Sequence, residues 1–143
     1  MIAKSPPARR LALLICNGQF EHLQEFSLLG PAEDAKRLAA VLSNEETCRF
    51  SVQVLVDRGL LDVRREIARI CNDACEDDTL LIYYSGTGMQ DESGSLCLAL
   101  ADVDRDFVDA TALDSEFVVS RLRRSQCRKT VLLIDCCHAG AFF

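Results

Sequence analysis

The sequence predicts an α/β fold built on a mainly parallel sheet. Three observations carry that prediction. Four apolar runs have strand length: LALLIC (11–16), FSVQVLV (50–56), LLIYY within 79–84, and KTVLLID (129–135). The long runs are close to continuously apolar, as strands covered on both faces must be. Segments of helical period stand between them, so strand and helix alternate as in crossover-connected parallel strands.

The elements follow in order. Residues 1–9 (MIAKSPPAR) read as a flexible leader, and the folded domain runs from 10 to 143. Residues 11–16 form the first strand and 17–30 a loop. The first helix begins at Pro31, whose fixed φ suits a first helical residue, with Glu33 and Asp34 complementing the dipole. Its apolar stripe is Ala35, Leu38, Ala39 and Leu42. Strand two is 50–56. Helix two is 62–75, with Val63, Ile67, Ile70 and Ala74 on one face, and Cys71 and Cys75 four apart. Strand three is 79–84. SLCLAL (95–100) is a short extra strand or a hairpin. Thr111 and Asp114 are spaced as a capping box for a helix over 113–124. Strand four is 129–135. The chain then ends on AFF with no closing helix, so we expect a domain incomplete at its C-terminus.

Composition narrows the function. The chain has 143 residues, 49% hydrophobic and 27% charged, which suits one globular domain. Its net charge of −6 argues against a nucleic-acid partner. The basic cluster Arg121, Arg123, Arg124, Arg128 and Lys129 reads as a solvated helix end. No apolar run reaches membrane-spanning length, and no signal-peptide core is present. Eight cysteines without a Cys-x-x-Cys pair argue against a zinc site and for free thiols in a reducing cytoplasm.

Sites in parallel sheets form beyond the carboxyl ends of strands. Two such ends carry chemistry: Ser85-Gly86-Thr87-Gly88 after strand three, and Asp135-Cys136-Cys137-His138 after strand four. If these strands are neighbours, the loops face each other across a cleft. Cys137 suits a nucleophile, with loop amides binding an oxyanion. A thiol nucleophile needs a base that also protonates the leaving amine. Histidine does both near neutral pH; threonine does neither. SGTGMQ is no dinucleotide fingerprint, because Asp91 stands at the third glycine.

LLIYYSGTG and TVLLIDCCHAG together resemble the two signature blocks of the caspase and metacaspase clan of cysteine peptidases. There one block ends in Ser-Gly-His-Gly and the other in Asp-x-Cys followed by Gly. LLGPAEDAKRLAAVL is similar to the family's first helix with its Gly-x-x-x-Asp-Ala. The resemblance spans about residues 10–143. It implies a caspase-like three-layer α/β/α sandwich, here the large-subunit portion, truncated just after the nucleophile loop. It implies Cys137 as nucleophile, with the amides of Gly88 and Cys137 as oxyanion donors. It sets the catalytic histidine at the position of Thr87, so the chain departs from the family at the base itself. His138 matches a neighbour of the nucleophile that is not the base, and His22 is the other histidine available for rescue.

The resemblance also implies a pocket for Arg or Lys before the cut, made by Asp34, Ser85 and Asp135. Metacaspases often place a cysteine where Pro31 stands here. The alternative reading makes Asp34 and Asp135 helix and strand caps. Many metacaspases bind calcium through acids in the region of Asp102 and Asp104. Phe107 excludes an EF-hand, leaving a looser Ca2+ site or a solvated acidic loop. No other cofactor is indicated. The implied partners are a peptide or protein substrate and the small-subunit portion of the same domain. Some relatives pair as homodimers through an edge strand, and nothing in the sequence decides that point. Two functions stand: a cysteine endopeptidase impaired at Thr87, or a non-catalytic pseudopeptidase serving as a regulatory or interaction module.

Overall fold

The computed structural model describes residues 7–136. Four parallel strands form the central sheet: β1 (Arg10–Cys16), β2 (Ser51–Val56), β3 (Thr79–Ser85) and β7 (Lys129–Asp135), in the order β2-β1-β3-β7. A second, antiparallel sheet joins β4 (Gly88–Gln90), β5 (Leu96–Leu98) and β6 (Leu113–Asp114). The helices are α1 (Gly30–Ser43), α2 (Leu60–Asp73), the single turn α3 (Val108–Thr111) and α4 (Ser115–Arg124).

Side-chain alternation along a strand sorts the core into two layers. Ala12, Leu14 and Cys16 of β1 and Leu81 of β3 pack with Ala35 and Leu42 of α1. Leu13, Ile15, Leu80, Ile82 and Tyr84 point the other way, onto Val63, Ile67 and Ile70 of α2 and Val118 of α4. The sheet is thus sandwiched between helices, the three-layer α/β/α arrangement expected. β1 and β3 are apolar on both faces for this reason. β7 differs: Leu132 and Ile134 pack on the α2–α4 layer, while Val131 and Leu133 are 43% and 47% exposed.

Several local expectations change. Helix four starts at Ser115, and its cap is Asp114, whose carboxylate accepts from Phe117 N at 2.7 Å. Thr111 ends α3 instead, its hydroxyl donating to Phe107 O. Leu113 and Asp114 are drawn into strand pairing with β5, which leaves no room for a cap at Thr111. Helix two stops at Asp73, so buried Cys71 and exposed Cys75 do not share a helical face. SLCLAL resolves as the second arm of the β4–β5 hairpin. Cys16, Cys48, Cys71, Cys75, Cys97 and Cys127 are free thiols. Among the described residues, no helix is long and apolar enough to cross a membrane.

Arg9, placed in the leader by sequence, is tied to the core. Its amide and guanidinium both donate to Asp78, which is 2% exposed, and Thr79 N donates to Arg9 O. Burial pushes the Asp78 carboxyl up, but Arg9 and the amides of Cys75 and Arg9 outweigh it and hold it at about 2. A carboxylate depressed on folding stabilises the fold above its unfolded value. That stability is lost as pH falls through the folded value. The drop from 3.8 is worth up to about 2 kcal/mol. Because Arg9 is half-exposed, we discount this to about 1 kcal/mol. The urea midpoint is therefore expected to fall between about pH 4 and pH 2. In Asp78→Asn that segment of the curve should flatten; an equal slope in both proteins would assign acid sensitivity elsewhere.

Candidate active site

β3 pairs with β7 in a register that sets Ser85 beside Asp135, and β1 pairs with β3 so that Cys16 lies beside Ser85. The two loops singled out by sequence therefore leave neighbouring strand ends. Backbone bonds tie these ends together. Asn17 N donates to Ser85 O at 2.9 Å and Gly86 N to Asp135 O at 3.3 Å.

Gly86 is dictated by space. A Cβ there would lie 2.5 Å from Tyr84 Oη and 2.8 Å from Asn17 O. Tyr84, wholly buried, holds the loop from beneath. Its hydroxyl lies 2.7 Å from Ala99 O and 3.1 Å from Thr87 O. Ala99 N also donates to Thr87 O, at 2.9 Å. That bond marks Thr87–Ala99 as a hydrogen-bonded position of the ladder, so the amide of Gly88, one residue on, points away from Leu98. This orientation suits Gly88 as an anion donor.

On the α1 face Ser85 lies beside Asp135, and the charge of Asp34 on α1 reaches Cys16 and Tyr83. Tyr83 is half-buried, and its phenol is pushed up by burial and by the charges of Asp135 and Asp34. Cys16 feels the same group. Burial, then Asp34 and Asp57, push its thiol up to about 12, so it stays protonated. Asp34 and Asp135 are exposed and Ser85 is buried. Sequence reasoning missed Tyr83. Alternation in LLIYYS places residues 81, 83 and 85 on one face, which was the available signal.

Thr87 lines a different space, a cleft of about 300 Å³ walled by the β4–β5 hairpin and the loop after β1. That loop is firmly placed. Gly18 N and Gln19 N donate to Asp57 Oδ1 at 2.8 and 2.9 Å, and Leu28 N donates to Gly18 O at 2.7 Å. His22 stands exposed on it and does not line the cleft. Cys137 and His138 lie outside the described residues.

The acidic loop is used locally. Both carboxylate oxygens of Asp102 accept from Leu60 N, at 2.9 and 3.1 Å, capping α2. Asp104 Oδ1 accepts from Asp106 N at 2.9 Å. Among the described residues, no three His, Cys, Asp or Glu side chains gather as a metal-holding group. Asp102 and Asp104 thus each accept from a backbone amide.

The family model of the caspase domain matches residues 9–142. No curated protein matches the chain significantly.

Proposed function

The chain belongs to the caspase domain family of cysteine peptidases, and on that premise we propose that it binds peptides through an Arg or Lys side chain while its peptidase chemistry is silenced or strongly impaired at Thr87. The observation that carries this reading is the register that sets Ser85 beside Asp135 at neighbouring strand ends, next to the loop that presents Thr87. Two carboxylates at a pocket mouth suit a guanidinium or ammonium group. Cys137 is the nucleophile of the parent chemistry, and Gly88 and Cys137 supply its oxyanion amides. With threonine at the base position, neither thiolate formation nor protonation of the leaving amine has its usual agent. The non-catalytic reading, a pseudopeptidase acting as a regulatory or interaction module, is favoured by Thr87 alone.

The exposed Val131 and Leu133, on a strand whose outer edge is unpaired among the described residues, support completion of the domain by a further portion packed beside β7. That portion corresponds to the family's small subunit. Homodimerisation through an edge strand would use a surface of the same kind.

Fluorescence anisotropy with a labelled Arg-containing peptide tests the pocket. Asp135→Asn is expected to weaken binding about tenfold or more, since one partner of a charge-assisted contact is removed. An Arg→Ala peptide should bind as weakly, and the loss should shrink as salt rises. Equal binding of the Arg and Ala peptides would remove the basic-residue pocket.

A further inference from the structure

The cleft beside Thr87 shares no residue with the Asp34–Ser85–Asp135 group. Its apolar wall comes from four separated segments: Phe20, Leu23 and Phe26 from the loop after β1, Met89 from β4, Ala99 after β5, and Val108 at the start of α3. Phe26 is a large hydrophobic residue left 37% exposed. The guanidinium of Arg105 lies over its ring, 5.2 Å from the centroid. Arg105 is the one charged group among the described residues that line the cleft. The acids near it in sequence are turned to other work, Asp102 to Leu60 N and Asp104 to Asp106 N, while Asp106 and Asp109 are exposed off the cleft.

These features define an occupant. About 300 Å³ is the lower end of the range for ligand sites and accepts one bulky side chain. The walls are apolar, with Met89 able to adjust to an irregular shape. The cation at the rim repels lysine and arginine, in direct contrast to the acidic pocket. Thr87 belongs to both regions, lining the cleft and closing the loop that presents the proposed catalytic position. We propose that this cleft is a subsite for a bulky apolar side chain of a bound peptide, carried by the residue that directly follows the basic one. The placement after the basic residue rests on the function proposed above; the apolar preference rests on the cleft alone.

Six labelled pentapeptides test this by anisotropy, Ala-Ala-X-Z-Ala, with X either Arg or Ala and Z Phe, Ala or Lys. The change at X reads the acidic pocket and the change at Z reads the cleft. Phe at Z is expected to bind about tenfold tighter than Ala, whichever residue stands at X, because a phenyl ring leaves water. Lys at Z should bind no better than Ala. Val108→Trp and, separately, Met89→Trp fill the cleft and should bring the Phe-to-Ala ratio close to one; cooperative urea unfolding checks that each variant is folded. A Phe preference without an Arg preference keeps the subsite and removes the basic pocket. An Arg preference without a Phe preference overturns the subsite, as does a Phe preference that survives both filled variants.

Discussion

Replacing Thr87 by histidine is expected to raise kcat/KM on an Arg-ended amide substrate by roughly 10²–10⁴-fold, the usual contribution of a positioned general acid–base. The fold already prepares the place. Tyr84 and Ala99 fix the carbonyl of Thr87 from below, and Gly86 packs against Tyr84 too closely to let the loop drift. Beside Thr87 lies a cleft of about 300 Å³, so an imidazole has space without displacing the core. In Thr87→His the proton of the Cys137 thiol passes to the ring and then to the leaving amine. The gain should therefore appear in kcat, with a pH–rate profile rising through the histidine range. Thr87→Ala controls for loss of the hydroxyl and should remain as slow as the parent. A Thr87→His protein that binds the Arg peptide but still cannot cut it would show that more than the base has been lost.

How much of this was readable in advance depended on which forces act locally. β1 and β3 were legible because helices cover both faces and their central positions, Leu11–Cys16 and Leu80–Tyr84, are apolar or aromatic. β7 looked the same by sequence, yet Val131 and Leu133 remain exposed, since among the described residues no helix packs on that side. Apolar composition reports the capacity for burial, not the identity of the cover. The Thr111 box failed because strand pairing of Leu113 and Asp114 competed with a cap two residues upstream, and tertiary pairing won. Arg9 escaped notice because its partner Asp78 is 69 residues away. The neighbouring of the two chemical loops followed from strand order, which the sequence allowed without fixing. The acidic group was named from family resemblance, and the register of β3 and β7 sets two of its members, Ser85 and Asp135, side by side. The cleft beside Thr87 was invisible, since its walls come from four segments that no short motif joins.

Gly86→Ala is expected to cost about 2–4 kcal/mol, lowering Tm by roughly 5–15 °C for a chain of this size. The backbone at Gly86 needs no left-handed conformation, so the cost is contact. The new methyl would sit 2.5 Å from Tyr84 Oη and 2.8 Å from Asn17 O. Neither neighbour yields easily. Asn17 O is backbone at the end of β1, and the Tyr84 ring is wholly buried in the core. Moving the phenol breaks its bonds to Ala99 O and Thr87 O, leaving buried polar atoms with weaker partners at about 1–3 kcal/mol. Gly94→Ala offers the contrast. There φ is +83° and nothing lies within 4 Å, so strain alone acts and the loss should be about 1 kcal/mol. Tyr84→Phe separates the terms further. Without Oη the closest contact vanishes while those to Asn17 O and to the ring carbon Cζ, 2.9 Å away, persist, so the Gly86→Ala penalty should fall by about 1 kcal/mol in that background. Equal penalties in both backgrounds would move the strain from Tyr84 Oη to the ring carbon and the end of β1. The same displacement would then reach Thr87 through Asn17 and Ser85 instead of through the phenol.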